Sequence, residues 1–95
     1  MRIISKKAIT TFSRRHPDAA APLKYWYRIA SSATWKTLSD AQADFPHADY
    51  YAPFTIFNVG GNNHRLIAVI KYRWQIVYIR HILTHAEYDK EKWKE

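Results

Sequence analysis

The sequence predicts an α+β domain in which helices pack on one face of an antiparallel sheet. Apolar residues recur at helical spacing in the first half of the chain. Segments 54–59, 65–73 and 75–83 are rich in β-branched and aromatic residues, which favours strands. The chain has 95 residues, the length of one small domain, so we expect a single domain over residues 1–95.

The chain is expected to begin with a short strand over residues 1–4 and then a helix. Ser5 is a suitable N-cap, and the helix should run to about Arg15, where Pro17 and Asp18 interrupt it. The inward-facing positions of this helix are Ala8, Ile9 and Phe12.

A second helix is expected to begin between Ala20 and Pro22. Its buried stripe, at spacing i, i+3, i+4 and i+7, consists of Leu23, Trp26, Tyr27 and Ala30. Ser39 and Gln42 have capping-box spacing and predict a third, short helix that Pro46 ends. Segment 47–53 is irregular and aromatic; it either carries function or covers a sheet edge.

The second half predicts three strands and a final helix, which gives the order β-α-α-α-β-β-β-α. Gly60-Gly61 predicts a tight turn with positive φ between the first two strands. Thr84 and Glu87 form another capping box, so a short helix should begin at His85. The charged tail DKEKWKE is expected to fray unless Trp93 anchors it.

Charge and composition favour a polyanionic partner and an intracellular location. The net charge is +7, and there is no cysteine for disulfides or thiolate zinc sites. Such an excess suits nucleic acid, an acidic membrane surface or an acidic protein; a well-solvated surface is the plain alternative. The N-terminus does not resemble a signal peptide, and the longest aliphatic run, 66–70, is too short to span a bilayer. We therefore expect a cytoplasmic protein without membrane contact.

The register of the last two strands decides where the cations lie. A two-residue turn at Trp74-Gln75 pairs Lys71 with Tyr78 and Val69 with Arg80. This register places all the cations of the strand pair on one face, namely Arg65, Lys71, Arg73 and Arg80. A three-residue turn would send Arg80 to the helix side, where burying a charge is costly. That cost favours the two-residue turn, although Trp-Gln is a poor type I′ pair. His81 is then expected opposite Arg80, in the core or at an edge.

The residues from Phe57 to Asp89 carry a family resemblance. FNVGGN, then Arg65, then the strand pair ending in YIR, then TH-x-EYD, resembles the HigB toxins of bacterial type II toxin–antitoxin systems, in the RelE superfamily of mRNA interferases. The resemblance implies a RelE-like microbial-RNase fold and cleavage of mRNA on the translating ribosome. It also implies neutralisation by HigA, a helix-turn-helix antitoxin. We expect that antitoxin to be acidic where it contacts the sheet.

The resemblance also implies site residues. The RelE pattern has an arginine early in the penultimate strand, which Arg65 matches, and a basic residue or histidine followed by a tyrosine after the last strand, which His85 and Tyr88 match. Arg80 belongs to the HigB string itself. Lys71 lies only in the neighbourhood of the RelE lysines.

Metal-free RNA cleavage requires a base for the 2′-OH proton, cations for the phosphorane and an acid for the leaving group. His85 is the proton-transfer candidate, because imidazole titrates near neutrality. Tyr88 is either its partner or a stacking platform for a base. Arg65 and Arg80 would clamp the scissile phosphate.

Three further residues are assigned to RNA binding, namely Lys71, Arg73 and His64. The alternative for His64 is an exposed loop histidine that does not bind RNA. Asp89 either orients His85 or Lys92, or only stabilises the helix start. No cofactor is expected, and no metal, because the five histidines are scattered and no two of them lie four residues apart within one predicted helix. The competing functions are a non-catalytic RNA- or DNA-binding module and a toxin of the same fold with another target, such as gyrase.

Overall fold

Five strands form one sheet in the computed structural model, which describes residues 1–94. The strands are β1 (Arg2–Ile4), β2 (Asp49–Tyr51), β3 (Phe54–Val59), β4 (His64–Lys71) and β5 (Ile76–Thr84). Their order across the sheet is β1-β5-β4-β3-β2. Every pairing is antiparallel except that of β1, which runs parallel to β5. The predicted α+β class is confirmed, and segment 47–53 supplies β2, a strand at the sheet edge.

The helices begin and end close to the predicted positions. They are α1 (Lys6–Arg15), α2 (Ala20–Ser32), α3 (Leu38–Asp44) and α4 (His85–Asp89). The N-cap of α3 was predicted wrongly. Thr37, and not Ser39, precedes this helix, and the Thr37 side chain accepts a hydrogen bond from the Asp40 backbone N–H at 3.3 Å. None of the helices in the described range is long and apolar enough to cross a membrane.

The main core lies between the sheet and the helices α1 and α2. As predicted, Leu23, Trp26 and Ala30 of α2 are buried, while Tyr27 is half-buried. Phe57 from β3 is fully buried and packs edge-on against the Trp26 ring. Burying large apolar side chains is the main source of stability in a domain of this size. One face of the sheet is therefore covered along its middle.

A second, smaller core covers part of the opposite sheet face, which we call the open face. Trp93 packs there on Ile56 and Ile67 and is only 4% exposed. Phe54, Leu83 and Tyr88 are partly buried against this cluster. Trp93 thus anchors the end of the chain, whereas the last predicted tail residue, Glu95, lies outside the described residues.

The turn between β4 and β5 differs from the predicted two-residue turn. Lys71 pairs with Ile76 and Val69 with Tyr78, so residues 72–75 form the connection. Tyr72–Trp74 is a 3₁₀ turn, and Gln75 adopts φ 58°. The Gln75 side-chain amide donates hydrogen bonds to the backbone oxygens of Trp35 (2.7 Å) and Tyr72 (2.9 Å). This contact with a distant residue stabilises the longer turn.

The observed pairing slides the two strands by two residues from the predicted pairing. A two-residue slide keeps each side chain on its face, so Tyr78 lies on the same side as Val69 and Lys71. The register then changes again, because Ala68 pairs with Ile79 while Ile67 pairs with His81. Arg80 is the extra residue of this β-bulge. The Gly60-Gly61 turn has the expected positive φ values, 65° and 66°.

Candidate active site

The candidate site lies where β4 and β5 meet the start of α4. Thr84 and Glu87 form the predicted capping box: the Thr84 N–H donates to Glu87 Oε1 at 3.0 Å, and the Glu87 N–H donates to Thr84 Oγ1 at 3.2 Å. The His85 backbone N–H donates to the Asn63 carbonyl oxygen at 2.9 Å. These bonds orient the first turn of α4 against the loop that precedes β4.

Arg65 is a buried cation held by neutral groups. The residue is only 7% exposed. Its guanidinium donates hydrogen bonds to the His64 carbonyl oxygen (3.0 Å) and to Asn62 Oδ1. Within residues 1–94, no carboxylate lies within ion-pair distance of Arg65. A buried guanidinium whose charge is not neutralised by a carboxylate attracts an anion such as a phosphate.

Tyr88 contacts this guanidinium. The Arg65 Cζ atom lies 5.2 Å from the centroid of the Tyr88 ring, a cation–π contact. The Trp93 ring stacks on Tyr88 at 5.2 Å with an interplanar angle of 9°, and its Nε1–H donates to the Tyr88 carbonyl oxygen at 3.0 Å. Tyr88 therefore packs α4 onto the sheet and also lies beside the candidate phosphate ligand.

His85 pairs with a carboxylate one helical turn away. Its Nδ1 atom lies 2.9 Å from Oδ2 of Asp89. Of the alternatives for Asp89, the structure shows the pairing with His85. The carboxylate favours a proton on Nδ1, which leaves Nε2 to exchange a proton with another group. The His85 side chain is 42% exposed, so an incoming substrate can reach it.

The bulge places Arg80 and His81 differently from prediction. Arg80 is exposed and lies over the Tyr78 ring, with its Cζ atom 5.6 Å from the centroid. It also lines a groove with Lys7 and Arg15 of α1. The structure therefore places Arg80 at the exposed margin of β5, and not paired with Val69 in a continuous row of cations.

His81 is a candidate that the sequence analysis missed. Of the expected core or edge placements, the core placement is wrong, because the bulge pairs His81 with Ile67 and leaves it exposed beside Leu83 and Trp93. Partial burial and, secondarily, the nearby Arg80 charge lower the pKa of His81 below its usual value near 6.5. His81 is therefore largely neutral at pH 7 and able to accept a proton. An irregularity such as this bulge leaves no clear signal in the local sequence.

The remaining predicted RNA-binding residues lie apart from one another. Lys71 is exposed at the end of β4, and Arg73 is in the 3₁₀ turn with its Cζ atom 5.0 Å from the Trp74 ring centroid. His64 is only 5% exposed, and its ring contacts Phe12 and His16 on the helix side of the sheet. His64 is therefore neither an exposed loop histidine nor close to the open face. The expected single face with all four cations is also wrong, because Arg73 lies in the 3₁₀ turn and the bulge places Arg80 in the groove beside α1.

The place where β4 and β5 meet α4 brings together three kinds of group that phosphodiester chemistry uses. Arg65 supplies a charged two-pronged donor, Tyr88 a phenol, and His85 with Asp89 an imidazole–carboxylate pair. A cation stabilises a developing phosphorane, and an imidazole moves protons at neutral pH. Of the residues that were predicted as catalytic, the structure brings together Arg65, His85 and Tyr88, and it places Arg80 further along β5.

Comparisons with known proteins agree with this geometry. Residues 19–91 match the family described as HigB_toxin, the RelE-like toxic component of a toxin–antitoxin system. The chain is similar to the mRNA interferase HigB of Escherichia coli O6:H1 (strain CFT073), with 36% identity over 95% of this chain and 90% of that protein. It is also similar to the mRNA interferase toxin HigB of Escherichia coli K12 and the mRNA interferase HigB of Shigella flexneri, each with 32% identity over 94% of this chain and 88% of the relative. The chain therefore belongs to the HigB family of RelE-like toxins.

Proposed function

We propose that this protein is an endoribonuclease toxin that cleaves mRNA on the translating ribosome without a catalytic metal ion. The observation that carries the proposal is the contact of buried Arg65 with Tyr88, next to the His85–Asp89 pair, at one end of the open face. The curated relatives are named mRNA interferases, which supports the same reaction for this chain. mRNA and ribosomes make the cytoplasm its place of action.

The proposed reaction is attack of a ribose 2′-OH on the adjacent phosphorus. His85 takes the 2′-OH proton through Nε2, while Asp89 holds the proton on Nδ1. Arg65 binds the non-bridging oxygens and stabilises the phosphorane as negative charge develops. The 5′-oxygen leaves with a proton from Tyr88, which lies against the guanidinium. The bond to the 5′-oxygen breaks as the new bond to the 2′-oxygen forms.

The basic margin of the molecule supports a nucleic-acid substrate. Arg80 lies with Lys7 and Arg15 along one groove, and Lys71 and Arg73 extend the positive charge at the other end of the strand pair. Phosphate contacts of this kind position a polyanion without reading its sequence. We assign these residues to flanking mRNA or rRNA, and Arg80 to a second phosphate contact in place of a clamp shared with Arg65.

A neutralising partner follows from the family, which is the toxic half of a toxin–antitoxin pair. We propose a HigA-type helix-turn-helix protein that presents acidic residues to this basic surface, since opposite charges speed association and select the partner. The complex should then weaken as salt increases. Neutralisation that persists at high salt and does not depend on Arg65 or Arg80 would contradict this proposal.

The test is to induce the protein in cells and map mRNA 5′ ends. Wild type should create new ends within coding regions, and the double variant H85A/Y88F should not. The matched control is H47A/Y50F, which removes an exposed histidine and an exposed tyrosine elsewhere and should cleave like the wild type. Unchanged ends after wild-type induction would overturn the proposal. DNA breaks with an SOS response in their place would indicate a gyrase-directed toxin.

A further inference from the structure

We propose that His16, Asp18 and His64 form a binding site for a divalent transition-metal ion of the zinc type. His16 follows α1, Asp18 lies in the 3₁₀ turn Pro17–Ala19, and His64 is the first residue of β4. One ligand atom from each side chain lies within 4.8 Å of the other two. Two imidazole nitrogens and one carboxylate oxygen are a ligand set that zinc takes in proteins, with a fourth position left to water.

The state of the His64 ring is the second, independent observation. The residue is only 5% exposed, and its Nδ1 atom is buried without a hydrogen-bond partner. Its Nε2 atom faces Asp18 but lies 3.8 Å from Oδ2, which is longer than a hydrogen bond. Buried polar atoms are normally paired, so each unpaired one requires an explanation. Neither ring nitrogen of His64 therefore has a hydrogen-bond partner among the described residues, and the ring can give one of them to a metal ion.

The surroundings permit the small closure that an ion requires. Ligand atoms around a tetrahedral zinc ion are about 3.3 Å apart for bonds of about 2.0–2.1 Å. The Asp18 side chain is 66% exposed and free to rotate, and His16 is half-buried. Phe12 stacks on the His16 ring at 4.5 Å and meets the His64 ring edge-on at 5.4 Å. Phe12 thus packs against both imidazoles, and the closure consists of small rotations of these rings and of the Asp18 carboxylate.

The position of this site gives it a structural role. His64 pairs with Thr84, the residue that caps α4, and its carbonyl oxygen accepts a hydrogen bond from Arg65. An ion here would join the turn between α1 and α2 to the strand that carries Arg65. The His64 ring lies on the helix side of the sheet, so the ion would stabilise the candidate active site without contacting a substrate there.

The test is metal binding by tag-free, chelator-treated protein. Titration calorimetry with Zn²⁺ and visible absorption with Co²⁺ should show one tetrahedral site per chain. H16A and D18N should weaken Zn²⁺ binding by about 10-fold or more, whereas Mg²⁺ should give no signal. Zn²⁺ should also raise the Tm of the wild type but not of D18N. H16A and D18N are used because the buried His64 is harder to replace without unfolding.

The matched control is H85A/D89N, which removes the other histidine–carboxylate pair of the described chain. This variant should bind Zn²⁺ and gain Tm like the wild type. Loss of binding in H85A/D89N with retention in H16A would overturn the proposal, as would the absence of Zn²⁺ binding. A Tm difference between wild type and D18N that is the same with and without Zn²⁺ would instead indicate a simple His–Asp ion pair. All of these results concern metal binding and stability, and none of them depends on whether the protein cleaves mRNA.

Discussion

The Nδ1 atom of His85 lies 2.9 Å from the Oδ2 atom of Asp89, one helical turn further along α4. This pairing fixes which ring nitrogen is directed at the carboxylate and leaves Nε2 for a substrate.

Substitution of either residue of this pair should slow cleavage. H85Q should lower the cleavage rate by about 10²–10⁴-fold, because it removes the proton-transfer group. D89N should lower it by up to about 10²-fold through misorientation of the ring. Single-turnover cleavage of a defined mRNA on purified ribosomes measures both, with D49N as the control at an exposed aspartate.

The Arg65 guanidinium should contribute directly to the cleavage rate. R65K keeps a positive charge but removes the two-pronged donor, so cleavage should fall by about 10²–10³-fold. The variant should remain folded, as far-ultraviolet circular dichroism will show. R28K is the matched control, because Arg28 is exposed on α2, and its cleavage rate should stay close to wild type. An R65K rate equal to that of R28K would exclude the guanidinium from the reaction.

The capping box of α4 gives a pH-dependent prediction. The hydrogen bond from the Thr84 backbone N–H lowers the pKa of Glu87 below its usual value. The stabilisation by ionised Glu87 is therefore full above about pH 4.3, the unfolded value, and is lost as the pH falls through the lower folded value. E87Q should be less stable than wild type at pH 6, and the difference should shrink as the pH falls below the unfolded pKa. Urea unfolding over a series of pH values measures the difference.

The Thr84 side chain supports the same helix end, which gives a companion prediction. T84A should lower the free energy of unfolding by about 1 kcal/mol, a typical cost of losing an N-cap. S39A is the control, because Ser39 has the spacing of a cap in the sequence but Thr37 caps α3 in the structure. S39A should change the free energy by no more than about 0.5 kcal/mol. Equal losses in both variants would contradict the assigned caps.

Trp93 connects the second core to the candidate site. It is 4% exposed and stacks on Tyr88, so W93A should lower the free energy of unfolding by about 3 kcal/mol. It should also reduce cleavage at temperatures where the variant is still folded, because Tyr88 loses its support. W74A is the matched control, since Trp74 is 65% exposed, and urea unfolding should find it close to wild type.

Local sequence patterns were sufficient to predict most elements of the fold. The apolar stripe of α2, the Gly60-Gly61 turn and the Thr84–Glu87 capping box depend on neighbours within one or two turns of the chain. Each is present in the structure as predicted. The N-cap of α3 was missed because Thr37 and Ser39 are both chemically suitable and two residues apart, so that local chemistry alone does not choose between them.

Features that depend on distant contacts were not predictable in the same way. The turn after β4 is held by a hydrogen bond from Gln75 to Trp35, forty residues earlier in the chain. The bulge at Arg80 turns His81 to the open face without any local signal. The group formed by His16, Asp18 and His64 was missed for the same reason, because a search for helical i, i+4 pairs does not detect ligands that only the tertiary fold brings together.

The chemistry of the cleaved ends tests the central claim most directly. Attack by the 2′-OH, with His85 as the base and no metal-bound water, leaves a 2′,3′-cyclic phosphate on one fragment and a 5′-hydroxyl on the other. We predict that fragments made by the wild type on ribosomes require kinase treatment before 5′ ligation, and that H85A/Y88F makes no fragments at the same positions. Fragments with a 5′-phosphate and a 3′-hydroxyl would contradict the account, because those ends result from attack by water and not by the 2′-OH.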